Sequence, residues 1–503
     1  MQNGGRTSKS IKNIIFGLLN QIVIIMLGFV SRAVFLKYLN ETYLGINSLF
    51  TEILSMLSLA DLGMATVMVY SFFEPLAKND ERKIKALLSF YKKIYQIIAA
   101  CIMVIGIAIM PFLQFIVNTE QKIDSLYLYY LLFLLRTVIS YLFVYKVSIL
   151  NADQKNYVVS NISSITKVMT TVVQVIILSV TKNYLLYLVI DIFTTWLNNF
   201  WCAKKADKLY TFSNKKAELS KLEKKDILQT IKSGFLYKFS TVLLNSTDNT
   251  IISTMLGTIV VGLYSNYGLV ISKLSVFVNT AFAAVNGSIG NLIVTADKKR
   301  RYEIFSIMQI ISFFVSSICV VCCYTLMDNF ITLWIGERYV LGKDVLVACL
   351  LNFYLSVVLQ PLWAYRDATG LFRKTKYIML CTAAINLILS IALGKVYGLS
   401  GIIFASAISR LITYCWYEPV VLFKEYFDIN VYSFFGSQIY NFIICCILCF
   451  AVEFIMKNWI IYSWVQLIIK TVIIFFSACV CITIAHFWRK SFKVTVKFVQ
   501  NKF

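Results

Sequence analysis

The chain has one histidine, four prolines and charged residues at only 15% of its 503 positions. Ordinary soluble domains carry about 25% charged residues, so a string of soluble domains, which the length alone would allow, is excluded. The single histidine, His486, sits near the end of the last apolar run and argues against a histidine-dependent enzyme. No Gly-rich phosphate loop ending in Gly-Lys-Ser/Thr occurs, which excludes a nucleotide-driven pump within this chain. Cysteine is plentiful, at thirteen, and Cys319, Cys322 and Cys323, like Cys445, Cys446 and Cys449, have metal-like spacings. Neither group has a nearby histidine or a second cluster to complete a tetrahedral site. Both lie in apolar runs, where cysteine acts as a small buried hydrophobe. No metal and no cofactor is expected.

What the chain does have is apolar length. Hydrophobic residues make up 59%, and runs near twenty residues recur from end to end, each able to cross a hydrocarbon core of about 30 Å. The fold class expected is an all-α polytopic membrane protein of about fourteen transmembrane helices. The spans fall near 14–36, 44–72, 94–117, 126–150, 157–180, 184–203, 233–256, 262–294, 304–328, 343–366, 377–394, 399–418, 434–456 and 464–487. Arg6, Lys9 and Lys12 precede the first, which is too long for a signal-peptide core and has no Ala-x-Ala exit, so it reads as a first span with a cytoplasmic N-terminus.

Charge gives an independent test of that topology. Lys and Arg number 48 against 25 Asp and Glu, a net +23 that taken alone resembles a nucleic-acid binder. In a membrane protein the excess has a simpler cause, the positive-inside bias of cytoplasmic loops, and no nucleic-acid partner is expected. With both termini and the even-numbered connections inside, those segments carry 33 cations and the outward connections seven. The setting implied is a bacterial cytoplasmic membrane crossed many times, a bacterial origin also suggested by the bias toward Lys, Ile and Asn. All outward loops are short, and no catalytic domain stands on either side. The piece from 207 to 232 mixes charges with Leu219, Leu222, Ile227, Leu228 and Ile231, as a basic cytoplasmic linker with an interfacial helix would.

That linker divides the first twelve spans into two sets of six. Leu44-Gly45-Ile46-Asn47-Ser48 opens the second span, and Val261-Gly262-Leu263-Tyr264-Ser265 opens the eighth, 217 residues later. At a similar offset, Asp153-Gln154-Lys155-Asn156-Tyr157 enters the fifth span and Phe372-Arg373-Lys374-Thr375-Lys376-Tyr377 the eleventh. The echoes suggest two six-helix bundles related by a parallel repeat, an arrangement that in transporters frames a central substrate site. The expected divisions are 1–206, the linker 207–232, a second bundle 233–420, and 421–503 for two extra helices and a basic tail.

Three stretches carry a family resemblance. Leu244-Asn245-Ser246-Thr247-Asp248, followed by Met255-Leu256-Gly257 and Val261-Gly262-Leu263-Tyr264-Ser265, resembles span 7 into span 8 of the polysaccharide-transporter (Wzx-type flippase) family. Ala384-Ile385-Asn386-Leu387 and then Lys395 to Ser406 is similar to its span 11 into span 12. Trp334-Ile335-Gly336-Glu337-Arg338-Tyr339 resembles the outward loop before span 10. The likeness covers most of the first 420 residues. It implies a V-shaped, MATE-like pair of bundles around a central cavity, moving lipid-linked oligosaccharides by alternating access.

Eight cations remain inside expected spans: Arg32, Arg136, Lys146, Lys167, Lys238, Lys273, Arg410 and Lys470. Each would cost about 2.5–3.5 kcal/mol at a lipid-exposed helix centre, so they must face protein, water or an anionic ligand, or snorkel. Acids at comparable depth are fewer: Glu52, Asp61, Asp191, Asp248 and Glu453. In span 1, Gln21 and Arg32 share a stripe with Gly28. In span 7, Lys238, Thr241, Asn245 and Asp248 form one face. Asn266, Lys273 and Thr280 recur at seven in span 8. Span 5 has the fullest stripe: Ser160, Ser163, Ser164, Lys167, Thr170, Thr171 and Gln174.

The functional reading is a cavity for a pyrophosphate and sugars. Arginine clamps phosphate oxygens bidentately and lysine supplies a point charge, which nominates Arg32, Lys238 and Lys273 first, then Arg136 and Lys167. Gln21, Ser163, Ser164, Gln174, Asn245 and Asn266 suit sugar hydroxyls. The simpler reading is that some cations pair with Asp61, Asp191 or Asp248, or snorkel. Those three acids could instead serve ion coupling. Lys146 and Lys470 read as structural.

The leading expectation is a flippase, not an enzyme, for an undecaprenyl-pyrophosphate-linked oligosaccharide destined for capsule, exopolysaccharide or O-antigen-type polymer. Its partners would be that lipid-linked glycan, membrane lipids and a polysaccharide polymerase. Lipid II or teichoic-type flippases and multidrug/cation antiporters share the fold. An antiporter for cationic drugs would want an acidic cavity, which eight cations against five acids disfavour. A membrane-embedded polymerase or glycosyltransferase would need a sizeable outward loop or paired acids at the surface, and neither is visible.

Overall fold

Apolar runs separated by short polar breaks fold here as helices, because in lipid every backbone amide must be satisfied within its own segment. The computed structural model describes residues 3–58, 64–119, 123–153, 155–210, 218–295 and 297–500, and among them no β-strand occurs. The chain is an all-α, multi-pass membrane protein. Nine helical stretches among the described residues are long and apolar enough to cross a membrane, or ten if one bent pair is a single span. Packing divides the chain into two units, Met1–Gly262 and Leu263–Phe503.

The first unit holds α1 (Asn3–Tyr38), α2 (Glu41–Leu57), α3 (Met64–Ala77), α4 (Glu81–Ile109), α5 (Leu113–Ile116), α6 (Leu126–Tyr141), α7 (Val144–Ala152), α8 (Asn156–Thr181), α9 (Tyr184–Leu209), α10 (Lys221–Asn245) and α11 (Asp248–Leu256). Helix α8 packs against both α1 and α9, and α9 against α6. Helices α6 and α7 meet at a 44° bend, so the expected fourth span is broken.

The linker differs from the expected separate interfacial helix. Helix α10 begins at Lys221 with a reciprocal cap: Glu223 N–H donates to Ser220 Oγ (3.2 Å) and Ser220 N–H to Glu223 Oε2 (2.9 Å). It then runs unbroken to Asn245, so the linker from Lys221 onward and most of the expected span 233–256 are one helix. After a break at Ser246–Thr247, α11 docks on α2. This docking explains why packing divides the chain at Gly262 and not at the linker.

Helix α12 (Thr258–Thr295) starts in the first unit and continues into the second. Its first turn crosses α2 backbone to backbone. A Cβ on Gly45 would lie 2.0 Å from Thr258 O, and one on Gly262 would lie 2.2 Å from Glu41 O. Each glycine meets the residue four positions before the other. Only a residue without a Cβ permits this approach.

The second unit continues with α13 (Lys298–Ile335), α14 (Lys343–Val358), α15 (Gln360–Ala368), α16 (Phe372–Ile412), α17 (Tyr414–Leu422), α18 (Tyr432–Met456), α19 (Trp464–His486) and α20 (Lys490–Gln500). Helix α13 packs against α14, α18, α19 and α20. Expected span 11 and the first part of expected span 12 lie in α16, separated at Gly398, whose φ of 60° and ψ of −135° break the helical course, and the rest of span 12 falls in α17. Lys470 is buried and donates to the carbonyls of Met456 (3.3 Å) and Trp459 (3.0 Å), closing the C-terminal end of α18. It is structural.

Candidate functional site

Three embedded charges and a tyrosine come together in the first unit. Arg136 of α6 and Asp191 of α9 form an ion pair, Nε to Oδ2 at 3.0 Å, with side chains 39% and 21% exposed. Tyr187 lies one turn before Asp191 on α9, and its hydroxyl is within electrostatic reach of Asp191, Arg32 and Arg136. Arg32 reaches the group from α1. Two guanidinium groups, one carboxylate and one phenol are thus brought together by α1 and α9, which both pack on α8, and by α6, which packs on α9.

The depth matters. At 1.5 Å per residue, Arg136 lies about 15 Å into α6, Asp191 about 10 Å into α9, and Arg32 about 9 Å before the end of α1. An ion pair at such a depth does not face hydrocarbon, because exposing a charge there is costly. Its exposed part faces water or ligand.

A polar seam runs on from this pair. Thr166 Oγ1 donates to Asn198 Oδ1 (2.8 Å), Asn198 Nδ2 to Asn199 Oδ1 (3.3 Å), and Asn199 Nδ2 to Ser140 O (3.3 Å). Gln174 donates to the carbonyl of Tyr187 at 3.3 Å. The expected stripe on α8 therefore splits. Thr170, Thr171 and Gln174 are buried among helices, Ser163 and Ser164 are half-buried, and Lys167 is exposed. Gln174 makes interhelical contacts, and Ser164 donates to Ser160 O (2.8 Å). Gln21 is half-buried on α1.

Above the charged group stands an aromatic cluster that the sequence reading missed. Tyr184 has ring centroids 4.9 Å from both Tyr43 and Tyr129, and Phe35 lies 5.3 Å from Tyr187. The signal was available, since Tyr187 and Asp191 share one helix face at a spacing of four.

The second group of expected residues requires a correction. Lys238, Thr241, Asn245 and Asp248 were expected on one continuous helical face, but α10 ends at Asn245 and Asp248 starts α11 after a break, so the register does not carry across. The side chains of Lys238 and Asn245, and the whole of Asp61, lie outside the described residues. Asp248 instead neighbours Glu52 of α2 electrostatically, while Glu52 Oε1 accepts from the backbone N–H of Asn249 at 2.9 Å. Two carboxylates thus meet at the α2–α11 contact.

In the second unit, Asn266 is fully buried on α12 and Lys273 is half-buried two turns on. Lys146 pairs with Asp207 at 2.5 Å. Among the described residues no group of three or more His, Cys, Asp or Glu could hold a metal.

No family model and no curated protein matches the chain. Solved structures do resemble it. A lipid II flippase, MurJ, in an inward closed conformation is 13% identical with a TM-score of 0.66, covering 94% of this chain and 99% of its own. An inward-facing multidrug resistance MATE family transporter of the MOP superfamily is 14% identical with a TM-score of 0.61, covering 79% and 96%. A Vibrio cholerae MATE transporter is 12% identical with a TM-score of 0.53, covering 84% and 98%. The chain has the fold of MOP-superfamily transporters.

Proposed function

We propose that the chain is a flippase that moves an undecaprenyl-pyrophosphate-linked oligosaccharide from the inner to the outer leaflet by alternating access. The observation that carries this reading is the partly exposed Arg136–Asp191 pair with Arg32 and Tyr187 beside it, held at membrane depth on three helices. Arginine presents a planar fork that matches phosphate oxygens, and two arginines against one carboxylate leave a net positive charge for an anionic headgroup. The neighbouring tyrosines offer flat apolar faces and hydroxyls, the combination that sugar rings stack on and bond.

The lipid-type reading gains support from coverage. The likeness to the lipid II flippase takes in 94% of the chain, whereas the two MATE transporters account for 79% and 84%. The wider match accommodates the two helices beyond residue 421 that lie outside the expected repeat. The reciprocal crossing of Gly45 and Gly262, whose contact partners Glu41 and Thr258 are also 217 residues apart, supports the reading of a sequence duplication. A lipid II or teichoic-type flippase is the nearest alternative. The Glu52 and Asp248 carboxylates are the preferred place for a coupling proton or sodium ion, since like charges this close favour sharing a cation.

Flipping in proteoliposomes tests the assignment, with a lipid-pyrophosphate oligosaccharide compared against a cationic dye. Arg32→Ala and Arg136→Ala should each slow glycan-lipid movement at least about tenfold, the value of one charge-assisted contact. Lys238→Ala belongs in the same series. Dye movement driven by an ion gradient, with the glycan lipid left untouched, would assign the chain to drug antiport instead.

A further inference from the structure

A polar cavity lies wholly within the second unit and shares no residue with the charged group of α1, α6 and α9. It has a volume of about 530 Å³ and lies between the first turns of α13 and α18 and the junction of α19 with α20. Lys299, Arg489, Ser437, Gln309, Gln438 and Asn441 are in its wall. The acid lining it, Glu303, is already paired with Arg300 of the same helix, so Lys299 and Arg489 leave the cavity positive.

Arg489 is held in place. Its Nη1 donates to Ser437 Oγ at 3.0 Å and to Asn441 Oδ1 at 3.3 Å, and its guanidinium carbon lies 4.5 Å from the Tyr440 ring centre. Behind it, His486 contacts Asn441 Oδ1 through Nε2 at 3.0 Å. The far wall holds an unused donor: Gln309 accepts from Gln438 Nε2 at 3.0 Å, but its own Nε2 has no hydrogen-bond partner among the described residues, although Gln309 is only 8% exposed. A buried donor left unsatisfied is costly. It fits a ligand oxygen.

The neighbourhood identifies the ligand as amphiphilic. The His486 ring lies tilted against Phe313 (4.8 Å) and Phe492 of α20 stacks on Phe314 (5.7 Å), fixing on α13 the α19–α20 junction whose Arg489, Ser491 and Val494 line the cavity. Phe487 and Trp488 at that junction are 56% and 81% exposed, as interfacial aromatics are. Exposed Lys493 and Lys497 of the following helix α20 add positive charge to this part of the chain. Phe434 and Gln438 are shared with a second, apolar groove of about 300 Å³ walled by Tyr354, Val358, Cys415 and Phe442. A cationic pocket beside an apolar groove, with Phe434 and Gln438 in the walls of both, matches a phosphate with a hydrocarbon chain attached.

We infer that this cavity and groove bind an anionic phospholipid, its phosphate at Arg489, Gln309 and Lys299 and an acyl chain in the groove beside Phe434. The lipid is a resident of the bilayer and not the cargo. The basic residues around the pocket assign it to the cytoplasmic leaflet, which attracts cations to anionic headgroups.

The test is native mass spectrometry and thermal unfolding of the purified full-length protein with added phosphatidylglycerol, phosphatidylcholine, or sn-glycerol 3-phosphate. Wild type should retain phosphatidylglycerol in preference to phosphatidylcholine and be stabilised by it, with no protection from the soluble phosphate. Arg489→Gln should weaken retention about tenfold, and Arg489→Lys should recover part of it. Because Arg489 also braces Ser437 and Asn441, a second variant, Val358→Trp, fills the groove and leaves the cations intact. It should lower retention of the diacyl lipid while the protein stays monodisperse. Equal retention of both lipids, unchanged retention in Arg489→Gln and Val358→Trp, or equal protection by glycerol phosphate would each overturn the proposal.

Discussion

Two arginine–carboxylate pairs, one in each unit, have the same chemistry and opposite surroundings. Arg136 and Asp191 are 39% and 21% exposed. Arg366 and Glu418 meet at 2.7 Å with side chains only 5% and 1% exposed. Through Glu418, Arg366 bridges α15 and α17, and it also bonds its neighbour Asp367 at 2.8 Å. A sealed pair has its partners fixed and cannot exchange them for a ligand. An open pair at membrane depth can trade one carboxylate for a phosphate at modest cost. Burial, and not the presence of charge, separates a clamp from a receptor site.

The sharpest break in that comparison is at the sealed pair. Glu418→Ala removes the sealed partner of Arg366 and leaves the buried guanidinium only the largely exposed Asp367, which should cost about 3 kcal/mol, read as loss of folded protein in a thermal-stability assay. Asp191→Ala should shift the same assay by no more than about 1 kcal/mol while changing transport. Equal destabilisation by both would erase the distinction drawn here.

The next largest effects lie at the glycine crossing. Gly45→Ala and Gly262→Ala each push a Cβ into a carbonyl oxygen of the opposing backbone, so each should destabilise by about 1–3 kcal/mol. Their similarity in size is the prediction, because the contacts are reciprocal. A wide disparity would argue against a symmetric crossing.

The smallest effect is at the loop before α8. Asp153 accepts from Tyr210 at 2.5 Å and pairs with Lys155 at 2.6 Å. Partial burial pushes its carboxyl up, but the hydrogen bonds from Lys155 and Tyr210 outweigh this and hold it below the usual range. A lowered value in the folded state means that the contribution is present at neutral pH and is lost as pH falls through that lowered value. Asp153→Asn should cost no more than about 1 kcal/mol at pH 7 and flatten the acid limb of the unfolding curve. An unchanged acid limb would remove Asp153 from the account.

The helices were legible because lipid demands long apolar runs, and the embedded charges were legible because they interrupt those runs. Their partners were not. Arg136 and Asp191 were both singled out, yet pairing them requires knowing that α6 packs on α9. Glu52 and Asn249 are 197 residues apart, and nothing local links them. The break at Ser246–Thr247 also escaped the sequence, since a helical phase drawn from Lys238 to Asp248 assumes the continuity that α11 gives up to dock on α2. The Tyr187–Asp191 spacing, by contrast, was readable and would have pointed to α9 as the wall of the site.

The unbroken helix from Lys221 to Asn245 has a mechanical consequence. Over 25 residues it is about 37 Å long, and its capped end carries Glu223, which lies 3.5 Å from Lys83 at the start of α4. The segment joining the halves of the sequence is thus a stiff lever. A rotation imposed on its basic end would be carried along the helix toward Asn245, just before α11, which docks on α2. A residue inserted at Lys225 would turn everything beyond it by about 100°, whereas the same insertion before Ser220 would leave the lever's phase intact.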